Sequence, residues 1–122
     1  MGMPRFATVI AALAGGPGCP AGDPGVTLEL LVPLTADAQI DPSGYAVAAD
    51  YCRARLLRAG REDWSLRFAR VEAGWALRAA EDEPLWLFDA RLLRPGAYLT
   101  LRRPDGAEFI FRVVNVERPE PA

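Results

Sequence analysis

The sequence predicts an α+β domain in which one main helix packs on a mostly antiparallel sheet. Three observations lead there. Apolar runs of strand length recur along the chain, most of them with in–out alternation. Asp41-Pro42 opens a breaker-free stretch with helical periodicity, Tyr45 to Ala59. Gly- and Pro-rich punctuation separates these segments, as short antiparallel connections require. At 122 residues, with 51% hydrophobic and 25% charged side chains, the chain is sized for a single domain spanning 1–122.

The first apolar run, Phe6 to Ala14, reads as a strand. It follows Arg5 as the apolar part of a secretory leader would. One Arg makes a weak leader, however, and Pro17 spoils the small-residue cleavage pattern. The run is also far shorter than the roughly 20 residues that span a bilayer. Between residues 15 and 25, eight of eleven positions are Gly or Pro. That composition forbids helix and predicts an unusually long loop, a natural place for a partner to dock. Val26, Leu28, Leu30, Val32 and Leu34 then alternate with Thr27, Glu29, Leu31 and Pro33 as a half-buried strand.

Asp41 supplies an N-cap and Pro42 the first helical position. Ala48, Cys52, Leu56 and Ala59 line one stripe, and Gly60 ends the helix. Trp64, Leu66 and Phe68 alternate with Ser65, Arg67 and Ala69. Glu72-Ala73-Gly74 turns the chain into Trp75, Leu77 and Ala79. A short run, Leu85 to Phe88, is a further candidate strand, and Asp89 to Arg94 a brief helical turn or link. Ala97 to Arg102, the Pro104-Asp105-Gly106 turn and Phe109 to Val116 form a closing hairpin, with 118–122 as a frayed tail. The order is ββα followed by four or five strands. It is β-grasp-like, with a partly closed barrel plugged by the helix as the alternative.

All 14 basic residues are Arg, and His is absent. Without Lys there is no Walker A lysine, Schiff base or Ser–Lys dyad. Without His there is no Ser–His or Cys–His pair and no zinc site of the common kinds. Asp37-x-Gln39-x-Asp41 begins like a calcium loop but lacks its central Gly and its terminal bidentate acid. Gly16-x-Gly18 is followed by a strand, not by the helix of a dinucleotide site. Glu81-Asp82-Glu83 is a carboxylate cluster of the kind that normally lies solvated in a hairpin loop. No catalytic, metal or cofactor residue is therefore assigned.

Binding features are better represented. Residues 1–52 carry one Arg against five acids, whereas seven Arg fall between Arg53 and Arg78. Guanidinium groups suit bidentate contacts to carboxylate or phosphate. Trp64, Trp75 and Trp86 recur at eleven-residue intervals, and Trp and Arg dominate interface hot spots. Core packing and a codon bias toward Arg are the plainer accounts of the two patterns. The phrase Leu93-Arg94-Pro95-Gly96-x-Tyr98-Leu99-Thr100-Leu101, with Asp105-Gly106 and Phe109-x-Phe111-Arg112-Val113, is similar to the closing hairpin of many small β modules. Some phage head–tail joining proteins end similarly. The likeness is turn chemistry and brings no site residues with it.

The expected function is a non-enzymatic protein–protein interaction or adaptor domain of bacterial type. Its expected partner- or anion-binding residues are Arg53, Arg58, Arg67, Arg70 and Trp75. The alternatives are a small enzyme using carboxylate or Tyr chemistry, and an Arg-face binder of nucleic acid or another anion. The acidic sequence pI disfavours nucleic acid. The expected partner is an unknown protein, with a homodimer through an exposed strand edge as one form. No cofactor and no membrane association are expected. The setting is cytoplasmic, with Cys19 and Cys52 as free thiols.

Overall fold

Strand alternation, not the helix, organises the molecule. The computed structural model describes residues 5–61, 63–72, 74–80 and 82–118. Its elements are β1 (Phe6–Gly15), β2 (Asp23–Pro33), α1 (Pro42–Ala48), a single 3₁₀ turn (Ala49–Tyr51) and β3 (Arg53–Arg58). There follow β4 (Trp64–Val71), β5 (Gly74–Arg78), β6 (Trp86–Ala90), β7 (Tyr98–Arg102) and β8 (Glu108–Glu117). Each strand pairs antiparallel with the next, and β8 returns to pair with β1, giving a closed eight-stranded barrel.

The expected α+β helix-on-sheet architecture is therefore incorrect, in both its β-grasp and its partly closed form. The chain is an all-β barrel with one short helix. The error lies in residues 49–59. There Ala48, Cys52 and Leu56 satisfy a four-residue repeat, but Cys52, Ala54 and Leu56 satisfy an alternating one equally well. The buried set is Cys52, Ala54 and Leu56, with Arg53 and Arg55 exposed between them. Ala, Leu and Arg are good helix formers. Closure overrides that preference, because β3 must supply backbone hydrogen bonds to both β2 and β4. Gly60, at a φ of 73°, turns a hairpin instead of ending a helix. A closed barrel also leaves no free strand edge among the described residues, so edge-to-edge dimerisation has no place to occur.

The inward positions form a packed core. Val9, Leu28, Leu30, Val32, Leu77 and Val113 are completely buried, and Leu66, Leu99, Leu101 and Phe111 nearly so. Small residues on β1 and β3 (Ala7, Ala11, Ala54) leave room for Phe68, Phe88 and Phe111. Phe68 and Phe88 meet edge to face at 5.7 Å across the intervening β5. The buried side chains are apolar, and Arg53 and Arg55 of β3 and Arg67 of β4 face outward. Among the described residues no helix is long and apolar enough to cross a membrane.

The helix closes one end. Asp41 Oδ1 accepts from the Ser43 amide at 3.0 Å, the N-cap expected of Asp41-Pro42. Gly44 and Ala48 face the barrel, and Tyr45 donates its hydroxyl to the Phe68 carbonyl at 3.2 Å. Before the helix, the Ala38 carbonyl accepts from the Leu93 amide at 2.7 Å, tying this end to the β6–β7 link. At the opposite end the expected 15–25 loop is shorter than its composition suggests. Gly16 and Cys19 exchange two backbone hydrogen bonds, at 3.0 and 3.1 Å, and Asp23-Pro24-Gly25 already belongs to β2. In the closing hairpin Asp105 accepts from the Ala107 amide and from Arg103, and both contacts hold its pKa below the usual value. Of the expected frayed tail, Arg118 donates to the Thr35 carbonyl at 3.0 Å, and 119–122 lie outside the described residues.

Cys19 and Cys52 are free and sit at opposite ends of the barrel. Cys52 is 2% exposed, and burial pushes its thiol from the ordinary 9.0 up to about 11. An unfolded thiol ionises first, so stability is expected to decline as pH rises past about 9. In native protein near pH 8 a thiol reagent should modify Cys19 alone, with Cys52 reacting only in denaturant. Two fast thiols in native protein would contradict this burial.

Candidate binding surface

The seven-arginine segment contributes to three separate places, because barrel strands alternate in direction and in face. Even-numbered positions of β3 and β4 point inward and odd-numbered ones outward. Arg58 and Arg70 have inward parity at the strand ends, so they fold over the rims. Arg58 stacks on Trp64 at 4.3 Å, and Trp64 meets Trp86 edge to face at 5.8 Å, at the end opposite the helix. Arg70 stacks on Trp75 at 4.9 Å, and Trp75 packs edge to face on Tyr45 at 4.8 Å, beneath the helix. Each end of the barrel is thus finished by a cation–π pair. The eleven-residue Trp spacing is one strand plus one turn, which places successive tryptophans at alternate ends.

Arg53 and Arg67 lie on the outer wall. They are directly opposed in the β3–β4 register, and Arg67 is directly opposed to Arg78 of β5. Three guanidinium-bearing side chains therefore stand in one transverse row, on strands about 4.8 Å apart. The row continues to Leu31 of β2 and Thr8 of β1. Like charges placed directly opposite one another in a sheet destabilise it by a few tenths of a kcal/mol, up to about 1 kcal/mol. The next row is neutralised. Arg55 forms an ion pair with Asp63 at 2.8 Å and lies 3.9 Å from Glu29. Arg53 and Arg67 make no such pair among the described residues, and Arg78 has a partner within the chain.

Two small grooves border this wall. One of about 270 Å³ lies between the 3₁₀ turn and β4–β5, lined by Tyr45, Asp50, Arg67, Phe68 and Arg78. The other, of about 180 Å³, runs between Thr8, Glu29, Leu31, Arg53 and Arg55. Arg53 and Arg67 thus line neighbouring grooves on one continuous wall, whereas Arg58, Arg70 and Trp75 lie at the two ends.

The chain also places residues together that the sequence reading left out. A groove of about 590 Å³, open to solvent, follows the β6–β7 link and is lined by Asp89, Arg91, Arg94, Tyr98 and Thr100 among others. A second groove, about 360 Å³, includes Asp89 and Glu108, and Glu108 is ion-paired with Arg102. No group of three or more potential metal ligands occurs among the described residues. Glu81 of the acidic Glu81-Asp82-Glu83 cluster lies outside them. Compared with family models, curated proteins and solved structures, the chain matches none, and its surface is interpreted from geometry alone.

Proposed function

We propose that the protein is a non-enzymatic binding module that docks an acidic partner protein on its arginine wall. The observation that carries this reading is the directly opposed pair Arg53 and Arg67, with Arg78 beside it, on the outside of a barrel whose interior is filled. A packed core offers no lumen for a ligand, so binding falls to the outer wall. Carboxylates from a partner would offset the repulsion between the directly opposed Arg53 and Arg67 in the free protein. Arg suits this task because its planar fork donates two parallel hydrogen bonds to a carboxylate. Two free thiols fit a reducing, cytoplasmic setting.

The test is affinity capture from lysate of the native source with wild type, the Arg53→Glu/Arg67→Glu variant and an Arg91→Glu/Arg94→Glu control. The control makes the same change in net charge away from the wall. Wild type and control should retain one acidic protein, released at moderate salt. The wall variant should lose it by about 30-fold or more, since like charges facing across an interface cost several kcal/mol. Thermal melts of all three verify folding. Retention by a folded wall variant would refute the reading. Retention of nucleic acid in place of protein would favour the alternative anion reading.

A further inference from the structure

The geometry points to a second copy of this chain as the partner for the outer wall of β6, β7 and β8, in a face-to-face dimer with two-fold symmetry. These are other strands than those that carry Arg53 and Arg67, and the inference stands independently of the acidic-partner reading. Among the described residues seven large hydrophobic side chains are exposed, and four of them, Leu87, Tyr98, Ile110 and Val114, lie on these three strands. Tyr98 is the most open of the four, at 60%. Val114 is turned outward by a β-bulge: Ile10 pairs with Asn115 and Ala11 with Val113, so Val114 is the extra residue. Exposed apolar side chains gathered on one sector mark a surface of contact.

The charges on this sector select the occupant. Arg102 and Glu108 already form an ion pair within the chain. Asp89 and Arg112, both exposed, form none among the described residues. Arg91 and Arg94 stand outside the sector, in the link beyond β6. Asp89 on β6 is opposed to Thr100, Thr100 to Ile110, and Arg112 on β8 to Tyr98, so the two unpaired charges flank β7. A partner surface of one charge sign would satisfy one of them and repel the other. A second copy satisfies both. With a two-fold axis in the plane of contact, crossing β7 between Tyr98 and Thr100, each copy's Asp89 faces its partner's Arg112. Ile110 and Tyr98 flank that axis and meet their own counterparts. Side-chain reach leaves latitude in the distances, so the arrangement depends on which side of β7 each charge occupies and not on a fixed repeat. Closure leaves no strand edge among the described residues, so the copies meet by their faces.

Sedimentation equilibrium at low salt tests the dimer. Wild type should show a monomer–dimer equilibrium. Asp89→Arg and Arg112→Asp should each weaken it by about 30-fold or more, because each sets like charges against one another at both contacts. Mixing the two single variants in equal amounts should restore a dimer, since the mixed pair regains both opposite-charge contacts. The Arg53→Glu/Arg67→Glu variant should dimerise as wild type does. Thermal melts verify that every variant is folded. A wild type that stays monomeric up to about 1 mM would overturn the inference. Single variants that dimerise like wild type would overturn it, as would a mixture that stays monomeric or a dimer lost in the wall variant. The acidic-partner reading is decided separately, by the lysate capture.

Discussion

Replacing Phe111 by Ala should lower the stability of the domain by about 3–5 kcal/mol, enough to leave much of it unfolded near physiological temperature. Phe111 is 1% exposed and lies on β8. Its register partners are Leu99 on β7 and Leu13 on β1, so its ring spans the seam where the barrel closes. The small inward residues of β1 cannot expand to fill the space left behind. The cost is therefore the lost transfer energy plus an unrelaxed cavity. A thermal melt should show a fall on the order of 10–20 °C. A fall of only a few degrees would mean that the seam is not packed as described.

The second large effect is expected at Gly22. This residue joins the Gly16–Cys19 turn to β2 with φ at 81°, and a Cβ there would stand 2.3 Å from the Leu13 carbonyl oxygen. Gly22→Ala meets two penalties. The left-handed backbone costs about 1–2 kcal/mol for a residue with a Cβ. The clash with backbone adds a distortion of about 1–3 kcal/mol, because no side chain can rotate away. Gly60 separates the two terms. Its φ is 73°, but an added Cβ meets nothing within 4 Å. Gly60→Ala should therefore cost only the backbone part, about 1–2 kcal/mol. Chemical denaturation of both variants checks the difference, and equal losses would show that the β1–β2 connection is not packed on β1.

These two sites also show what was legible in the sequence. The strands now labelled β1, β2 and β4–β8 were each marked by alternation or by an apolar run between turns, because one face of each is buried and the other solvated. The start of α1 was marked by Asp41-Pro42 for reasons of local chemistry. What failed was the interval from Ala49 to Ala59, where a helical stripe and a strand alternation share Cys52 and Leu56. Local propensity favoured helix there. Only the need of β2 and β4 for a common neighbour decides for strand, and that need is not local.

The same interval hid the arginine wall. Arg53 and Arg67 are symmetric about Gly60, and Arg67 and Arg78 about the midpoint of the β4–β5 connection, as their registers show. A residue's opposite number in a hairpin is its reflection through the turn. Reading Gly60 as a hairpin centre would have placed Arg53 opposite Arg67 directly. The link after Asp89 left no comparable signal, because Arg91 and Arg94 line one groove only where that link lies beside the start of β7.

The arrangement of Arg53 and Arg67 is tested most directly by cross-linking. In a Cys19→Ser background, the Arg53→Cys/Arg67→Cys double variant places two thiols at directly opposed positions, within the Cα separation that a disulfide accepts. Under mild oxidation, peptide mapping should find those two positions joined in nearly all molecules. The companion Arg58→Cys/Arg70→Cys variant, with thiols at opposite ends of the barrel, should remain reduced. If residues 53–58 instead continued the helix, 53 and 67 would not be opposed. Failure of the first pair to join, or joining of the second, would contradict the barrel register and the arginine wall built on it.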